Sequence, residues 1–175
     1  PHAQHLAHAS AAIAAGKAVL VEKSFTATYD GAQTIVAQAG EAGVFVMEAM
    51  WTRFVPAVVR VRELIADGAI GEVRAVTADL GVRRDFDPTD RLFSLALGGG
   101  TLLDLGVYVV SFAQMVLGQP LATTAHGSLL PTGVDAEAGL LVDFGDGRTA
   151  TLQTAFRART PGSARIYGTD GWIDV

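Results

Sequence analysis

Three side chains in this sequence are suited to handling a proton at an alcohol carbon: Lys23, Asp104 and Tyr108. Lys23 follows the short apolar run "VLVE", and ligands of open α/β sheets bind beyond the carboxyl ends of the strands. Asp104 and Tyr108 stand four residues apart in "LGGGTLLDLGVY", so on a helix they share one face. Charge on an apolar helix costs several kcal/mol unless it is paired, which makes Asp104 either a structural anchor or a site residue. A tyrosine with a reference pKa of about 10 gives up its proton reluctantly, and an adjacent ammonium favours its phenolate. Such a tyrosine can take a proton from an alcohol while hydride leaves the same carbon, and return it in reverse. Each residue also has a plain structural reading: Lys23 as a solvated charge, Tyr108 as a core aromatic with its hydroxyl satisfied locally.

Other residues carry weaker signals. In "MEAMWTRFVP", Trp51, Arg53 and Phe54 follow an apolar strand. They either line a pocket mouth, with Arg53 bonding a polar substrate or cofactor, or simply join two domains. His2, His5 and His8 recur at i, i+3 and i+6, spread over about 120° of helix surface. That spacing suits no tight metal site, so no metal is expected and they read as helix-surface or cap histidines. His126, inside a predicted strand, reads as structural or as a minor ligand contact. The glycines of "LGGGT" permit close backbone approach but lack the spacing of a phosphate loop.

The elements that must position these residues fall into two textures. Residues 3–15 are alanine-rich and helix-favouring, "KAVLVE" reads as a short buried strand, "YDGAQTIVAQAGEAG" as a helix and "VFVMEAM" as a second buried strand. That alternation predicts part of a parallel α/β sheet. Pro56 opens the helix "PAVVRVRELIADG", with Val58, Val59, Val61, Leu64 and Ile65 on one face. "GEVRAVTADLGV" is β-rich, and "TLLDLGVYVVSFAQMVLG" predicts one long apolar helix closed by Gly118 and Pro120. Short strands with Gly/Asp turns follow, and "DFGDGRT" is the sharpest hairpin signal. The expected organisation is an α/β portion over 1–50 and an α+β domain over 51–175 with a largely antiparallel open sheet, one face covered by the helix at 101–117.

Composition narrows the function. The 175 residues hold 13 Lys and Arg against 18 Asp and Glu, a formal charge of −5, with the basic residues scattered. No footprint for a nucleic-acid backbone is present. The chain has no cysteine, which rules out thiolate catalysis and thiolate metal sites. Its apolar runs are broken by Gly, Asp or Arg short of a bilayer-crossing length, so no membrane segment and a cytoplasmic location are expected. A helical opening without methionine and an apolar strand at the close predict a fragment.

The segments "AAGKAVLVEKS", "VFVMEAMWTRFVPAV", "LIADGAIGEV" and "LGGGTLLDLGVY" together resemble the Gfo/Idh/MocA oxidoreductases, especially the branch of dimeric dihydrodiol dehydrogenases and NADP-dependent D-xylose dehydrogenases. The resemblance implies the C-terminal part of a Rossmann-type domain binding NADP or NAD, then an α+β substrate domain whose open sheet forms a homodimer. The family's Glu-Lys-Pro motif falls on Glu22, Lys23 and Ser24, which puts Lys23 near the nicotinamide and the substrate hydroxyl. Its glycine-rich Asp…His/Tyr motif falls on Gly98, Gly99, Gly100, Asp104, Gly106 and Tyr108, with tyrosine as the acid/base. Trp51 and Arg53 match a cofactor- and substrate-side segment. Ser24 in place of proline is expected to loosen the turn that holds Lys23. The dinucleotide fingerprint would lie before Pro1, so the chain alone is expected to lack activity. The implied substrate is a small polyhydroxy molecule such as a sugar, polyol or cyclic diol. Two alternatives stay open: a redox-neutral reaction on a retained cofactor, and a non-catalytic dimerising or ligand-sensing scaffold.

Overall fold

The computed structural model describes residues 1–175. Helix α1 (His2–Ala14) leads to strand β1 (Val19–Val21), and α2 (Tyr29–Ala42) crosses over to β2 (Val46–Glu48). The two strands pair in parallel, with Val19 opposite Val46 and Val21 opposite Glu48, as a helical crossover requires. Thr28 starts α2 by accepting a hydrogen bond from the Gly31 amide. Ala9, Ile13, Val21, Ile35 and Ala39 form the core between the helices and the strand pair. The strands are less buried than their apolar runs predict: Leu20 is 61% exposed, and Phe45, just before β2, 63%. Side chains alternate across a strand, and the helices cover only one face of this pair.

A 3₁₀ turn (Trp51–Phe54) joins this unit to α3 (Pro56–Ala66), with Pro56 at the start of the helix. Strand β3 (Val73–Gly81) follows, then a polar segment with short 3₁₀ turns at Arg91–Phe93 and Leu95–Leu97. A π turn (Leu102–Gly106) runs into α4 (Val107–Leu117). The remaining strands are β4 (Ala122–Leu129), β5 (Asp135–Asp143), β6 (Thr149–Ala155), β7 (Ala164–Gly168) and β8 (Trp172–Asp174). They build a six-stranded sheet in the order β4-β5-β6-β3-β7-β8, antiparallel except for the parallel β3–β6 pair. The β5–β6 hairpin turns through Gly145, Asp146 and Gly147, all at positive φ, as its Asp-Gly signal predicts.

The register assigns the faces of this sheet. Val76 lies level with Ala150 and Ile166, and Ala150 with Val142. These side chains pack against Val61 of α3 and Val109, Ala113 and Leu117 of α4 in the main core. The opposite face, which carries Leu141, Thr151, Thr77, Arg165, Tyr167 and Trp172, is left uncovered by the chain.

Two expectations for the segment at 95–117 need correction. The predicted single α-helix begins instead as a wider π turn, a device common at functional sites. The main-chain oxygens of Leu103 and Asp104 in that turn both accept hydrogen bonds from the Lys23–Ser24 turn. Leu95–Leu117 also meets the length and composition needed to cross a membrane, with 23 residues at mean hydropathy 1.6, against the expectation that every apolar run is too short. In the fold, Gly98 breaks the stretch and α4 packs on the sheet as a core helix does.

Candidate functional site

Lys23 leaves the carboxyl end of β1, and the turn that carries it is tied on several sides. The Lys23–Ser24 peptide is cis. Ser24 is buried, its hydroxyl donates to the Leu103 oxygen at 2.6 Å, and its own oxygen lies 2.7 Å from His5 Nδ1. The next amide, Phe25, donates to Glu48 Oε1 at 2.8 Å, from the end of β2. The expectation that serine loosens this turn is therefore corrected: a buried hydroxyl anchors it to the π turn.

The Lys23 ammonium donates to the Asp104 main-chain oxygen at 2.7 Å and to Oδ1 at 2.9 Å. Asp104 is only 6% exposed, so its charge requires this partner. Arg91 Nη2 stands 3.8 Å from the same Oδ1. Lys23 Nζ also lies 5.0 Å from the Tyr108 ring centroid, within cation–π range. The Tyr108 hydroxyl receives a 3.2 Å hydrogen bond from Trp51 Nε1, and the two rings meet edge to face at 6.1 Å. The structure thus brings Lys23, Asp104, Tyr108 and Trp51 into one contiguous cluster drawn from the turn after β1, the 51–54 turn, the π turn and the start of α4.

Arg53 makes contacts that suit its joining reading, and it also lines a cavity with Glu48, Phe54 and Gln114. Its Nε and Nη2 donate to the side-chain and main-chain oxygens of Ser111 at 3.1 and 3.2 Å, which ties the 51–54 turn to α4. Glu22 is exposed, and its carboxylate accepts from the Lys23 amide at 3.2 Å. His126 sits opposite Gly139 at the β4 edge of the sheet, on its uncovered face.

The reading of His2 as a surface or cap residue is overturned: it is 4% exposed, with Nδ1 2.7 Å from the Gly98 oxygen. A carbonyl only accepts, so the neutral ring holds its proton on Nδ1. Gly98 takes the left-handed φ of +73°, and a Cβ there would stand 3.0 Å from His2 Cβ. Burial pushes the His2 pKa down, outweighing the opposite pull of the Gly98 carbonyl and Asp104. No local pattern marks this contact, because the partners are 96 residues apart. Arg91 carries no local signal either, because it stands in a polar segment without periodicity.

A polar cavity of about 280 Å³ opens beside the ammonium, lined by His2, His5, Glu22, Lys23, Arg91 and Asp104. On the other side of Tyr108, an apolar cavity of about 380 Å³ is walled by Trp51, Val58, Leu80 and Phe112. The cavity at the carboxyl end of the parallel pair, with donors from Lys23 and Arg91 and an acceptor from Glu22, fits the polar amide and ribose groups of a nicotinamide nucleotide.

Comparison with known proteins gives a consistent pattern. The profile of the GFO/IDH/MocA C-terminal domain matches residues 58–174, and that of the oxidoreductase family with an NAD-binding Rossmann fold matches residues 1–50. A trans-1,2-dihydrobenzene-1,2-diol dehydrogenase of Xenopus tropicalis is 38% identical over 162 residues, spanning 91% of this chain and 48% of the relative. The aldose-aldose oxidoreductase of Caulobacter crescentus, solved with glycerol, superposes with a TM-score of 0.93 at 30% identity, over 99% of this chain and 53% of the other. GenD2 of gentamicin A biosynthesis, solved with NAD, gives a TM-score of 0.88 at 30% identity, over 100% of this chain and 52% of the other. The chain spans about half the length of the relatives it matches.

Proposed function

The chain belongs to the Gfo/Idh/MocA oxidoreductase family, and from that premise we propose that it carries the proton-handling part of an NAD(P)-dependent dehydrogenase acting on a hydroxyl of a sugar, polyol or cyclic diol. The carrying observation is the cluster in which the Lys23 ammonium meets both Asp104 Oδ1 and the face of Tyr108. A nicotinamide nucleotide, when bound, supplies the hydride acceptor or donor. Glu22, Lys23 and Arg91 hold it from the polar cavity, and Trp51 borders the same site. Tyr108 takes the proton of the substrate hydroxyl, Lys23 orients that hydroxyl, and Asp104 holds Lys23. The similarity to a dihydrodiol dehydrogenase and an aldose-aldose oxidoreductase supports a polyhydroxy substrate.

The division at residue 50, with a Rossmann-type portion before it and a substrate and dimerisation domain after it, is part of the proposal and is supported by profiles matching 1–50 and 58–174. A homodimer through the uncovered sheet face and a cytoplasmic location complete it. The exposed Leu141 and Trp172 support the dimer, and the cysteine-free composition fits the cytoplasm.

Turnover is proposed for the longer protein, with little dinucleotide binding by these 175 residues alone. Titration of NADPH into this chain, followed by nicotinamide fluorescence, tests the second part. Tight saturable binding would overturn it. A redox-neutral reaction is the second reading, favoured by the similarity to an enzyme whose name pairs one aldose with another. Net change in nicotinamide absorbance during turnover separates the two, because a redox-neutral enzyme produces none.

A further inference from the structure

We infer that Asp135, at the start of β5, is a positioning residue that fixes the π turn carrying Asp104 and the helix carrying Tyr108. The first residues of a helix have amides without partners inside the helix, and a negative charge there is favoured by the helix dipole. The N-terminal residue Thr101 makes no side-chain cap of its own to the helix. Asp135 supplies the cap from 34 residues away: its Oδ2 accepts from Thr101 Oγ1 at 2.6 Å and from the Leu102 amide at 2.7 Å.

The approach is built into the backbone. A Cβ at Gly100, where φ is +112°, would fall 2.1 Å from Asp135 Oδ1. Only glycine leaves room for the carboxylate, which gives the third glycine of the "GGG" run a structural purpose. Thr101 is fully buried, and its oxygen is also approached by Thr154 Oγ1 of β6 at 3.5 Å. Two strands therefore grip the residue from which the turn departs.

One residue of slip would rotate the helix by about 100° and shift it by about 1.5 Å, enough to take Asp104 from Lys23 and Tyr108 from Trp51. The inference depends on the dehydrogenase reading only for what the positioned residues do, so its test reads position and not turnover.

The chain has two tryptophans, at positions 51 and 172. With Trp172→Phe as background, the ¹⁵N-labelled chain shows a single indole N–H signal, from Trp51. Tyr108→Phe defines that signal without its hydroxyl partner. Asp135→Ala is expected to move the signal at least about half of the way to the Tyr108→Phe position, and Asp135→Asn, whose amide oxygen still accepts, to leave it near wild type. Lower global stability does not by itself move a native-state signal. A folded Asp135→Ala with an unmoved indole overturns the inference, as does equal displacement by Ala and Asn. Should Asp135→Ala fail to fold, Thr101→Val removes one of the two donors: a smaller shift in the same direction supports the inference, and no shift overturns it.

Discussion

Lys23 and Asp104 meet twice, the ammonium donating to the main-chain oxygen at 2.7 Å and to Oδ1 at 2.9 Å. The double contact fixes the lysine against a backbone position as well as a charge, so the strand-end turn and the π turn become one unit. Removing one partner of a nearly buried pair leaves the other charge uncompensated, typically at about 3–5 kcal/mol. Asp104→Ala should therefore destabilise the chain by about 3 kcal/mol. Asp104→Asn, which keeps an acceptor, should lose less. Urea unfolding measures both; an Asp104→Ala variant as stable as wild type would show that the pair contributes nothing to the fold.

Kinetics should separate Tyr108 from its neighbour. In the longer protein, Tyr108→Phe should lower kcat by about 10²–10⁴-fold with a smaller change in KM, the usual range for loss of a positioned acid/base. Trp51→Phe removes the hydrogen bond to the Tyr108 hydroxyl and trims the ring packed against it, but leaves the proton-carrying hydroxyl in place, and should cost less than Tyr108→Phe. If Tyr108→Phe turns over at the wild-type rate across pH, another group carries the proton.

Much of this arrangement is legible in the sequence, and the parts that are not have a common cause. Apolar periodicity and Gly/Asp turns predict the helices and strands because they report local backbone preference. Lys23, Asp104 and Tyr108 stand out because charge and hydroxyl interrupt apolar runs. What escapes is contact between residues distant in the chain: His2 with Gly98, Arg53 with Ser111, and Ser24 with Leu103. Histidines spaced for a helix surface give no hint that one meets a glycine 96 residues later. The π turn is equally invisible, since its sequence is a good helix and its widening coincides with tertiary contacts to the lysine turn.

Ser24 offers a direct check on one of those contacts. Its hydroxyl is buried against the Leu103 oxygen, so Ser24→Ala leaves a buried acceptor short of one partner at a cost of about 1–3 kcal/mol. Ser24→Thr keeps the hydroxyl and should recover part of the loss in the same urea experiment. Equal stability of Ala and wild type would return the turn to the loose state expected from the sequence.

The uncovered sheet face should control association. Leu141 and Trp172 are 54% and 65% exposed on that face, and the homodimer proposed above would cover both. Leu141→Arg combined with Trp172→Arg should shift a dimer to monomer in sedimentation velocity without altering the main core on the other face. A wild-type chain that already sediments as a monomer, or a coefficient unchanged by the two substitutions, would overturn a dimer through this face.

His2 should make stability depend on pH, with a sign that follows from its burial. Desolvation lowers its pKa in the folded chain, whereas the unfolded chain titrates near the ordinary value of about 6.5. Between these values the unfolded state binds a proton that the folded state does not, so acidification favours unfolding. The contribution is full above the unfolded pKa and is lost as pH falls through the folded one. His2→Gln, which does not titrate but still offers a donor toward Gly98, removes this source of pH dependence. The difference in unfolding free energy between wild type and His2→Gln, measured in urea from pH 8 down to pH 5, should move against wild type below about pH 6.5. A difference that is flat with pH would show that folding does not shift the ring's pKa, and one that moves in favour of wild type on acidification would show that folding raises it.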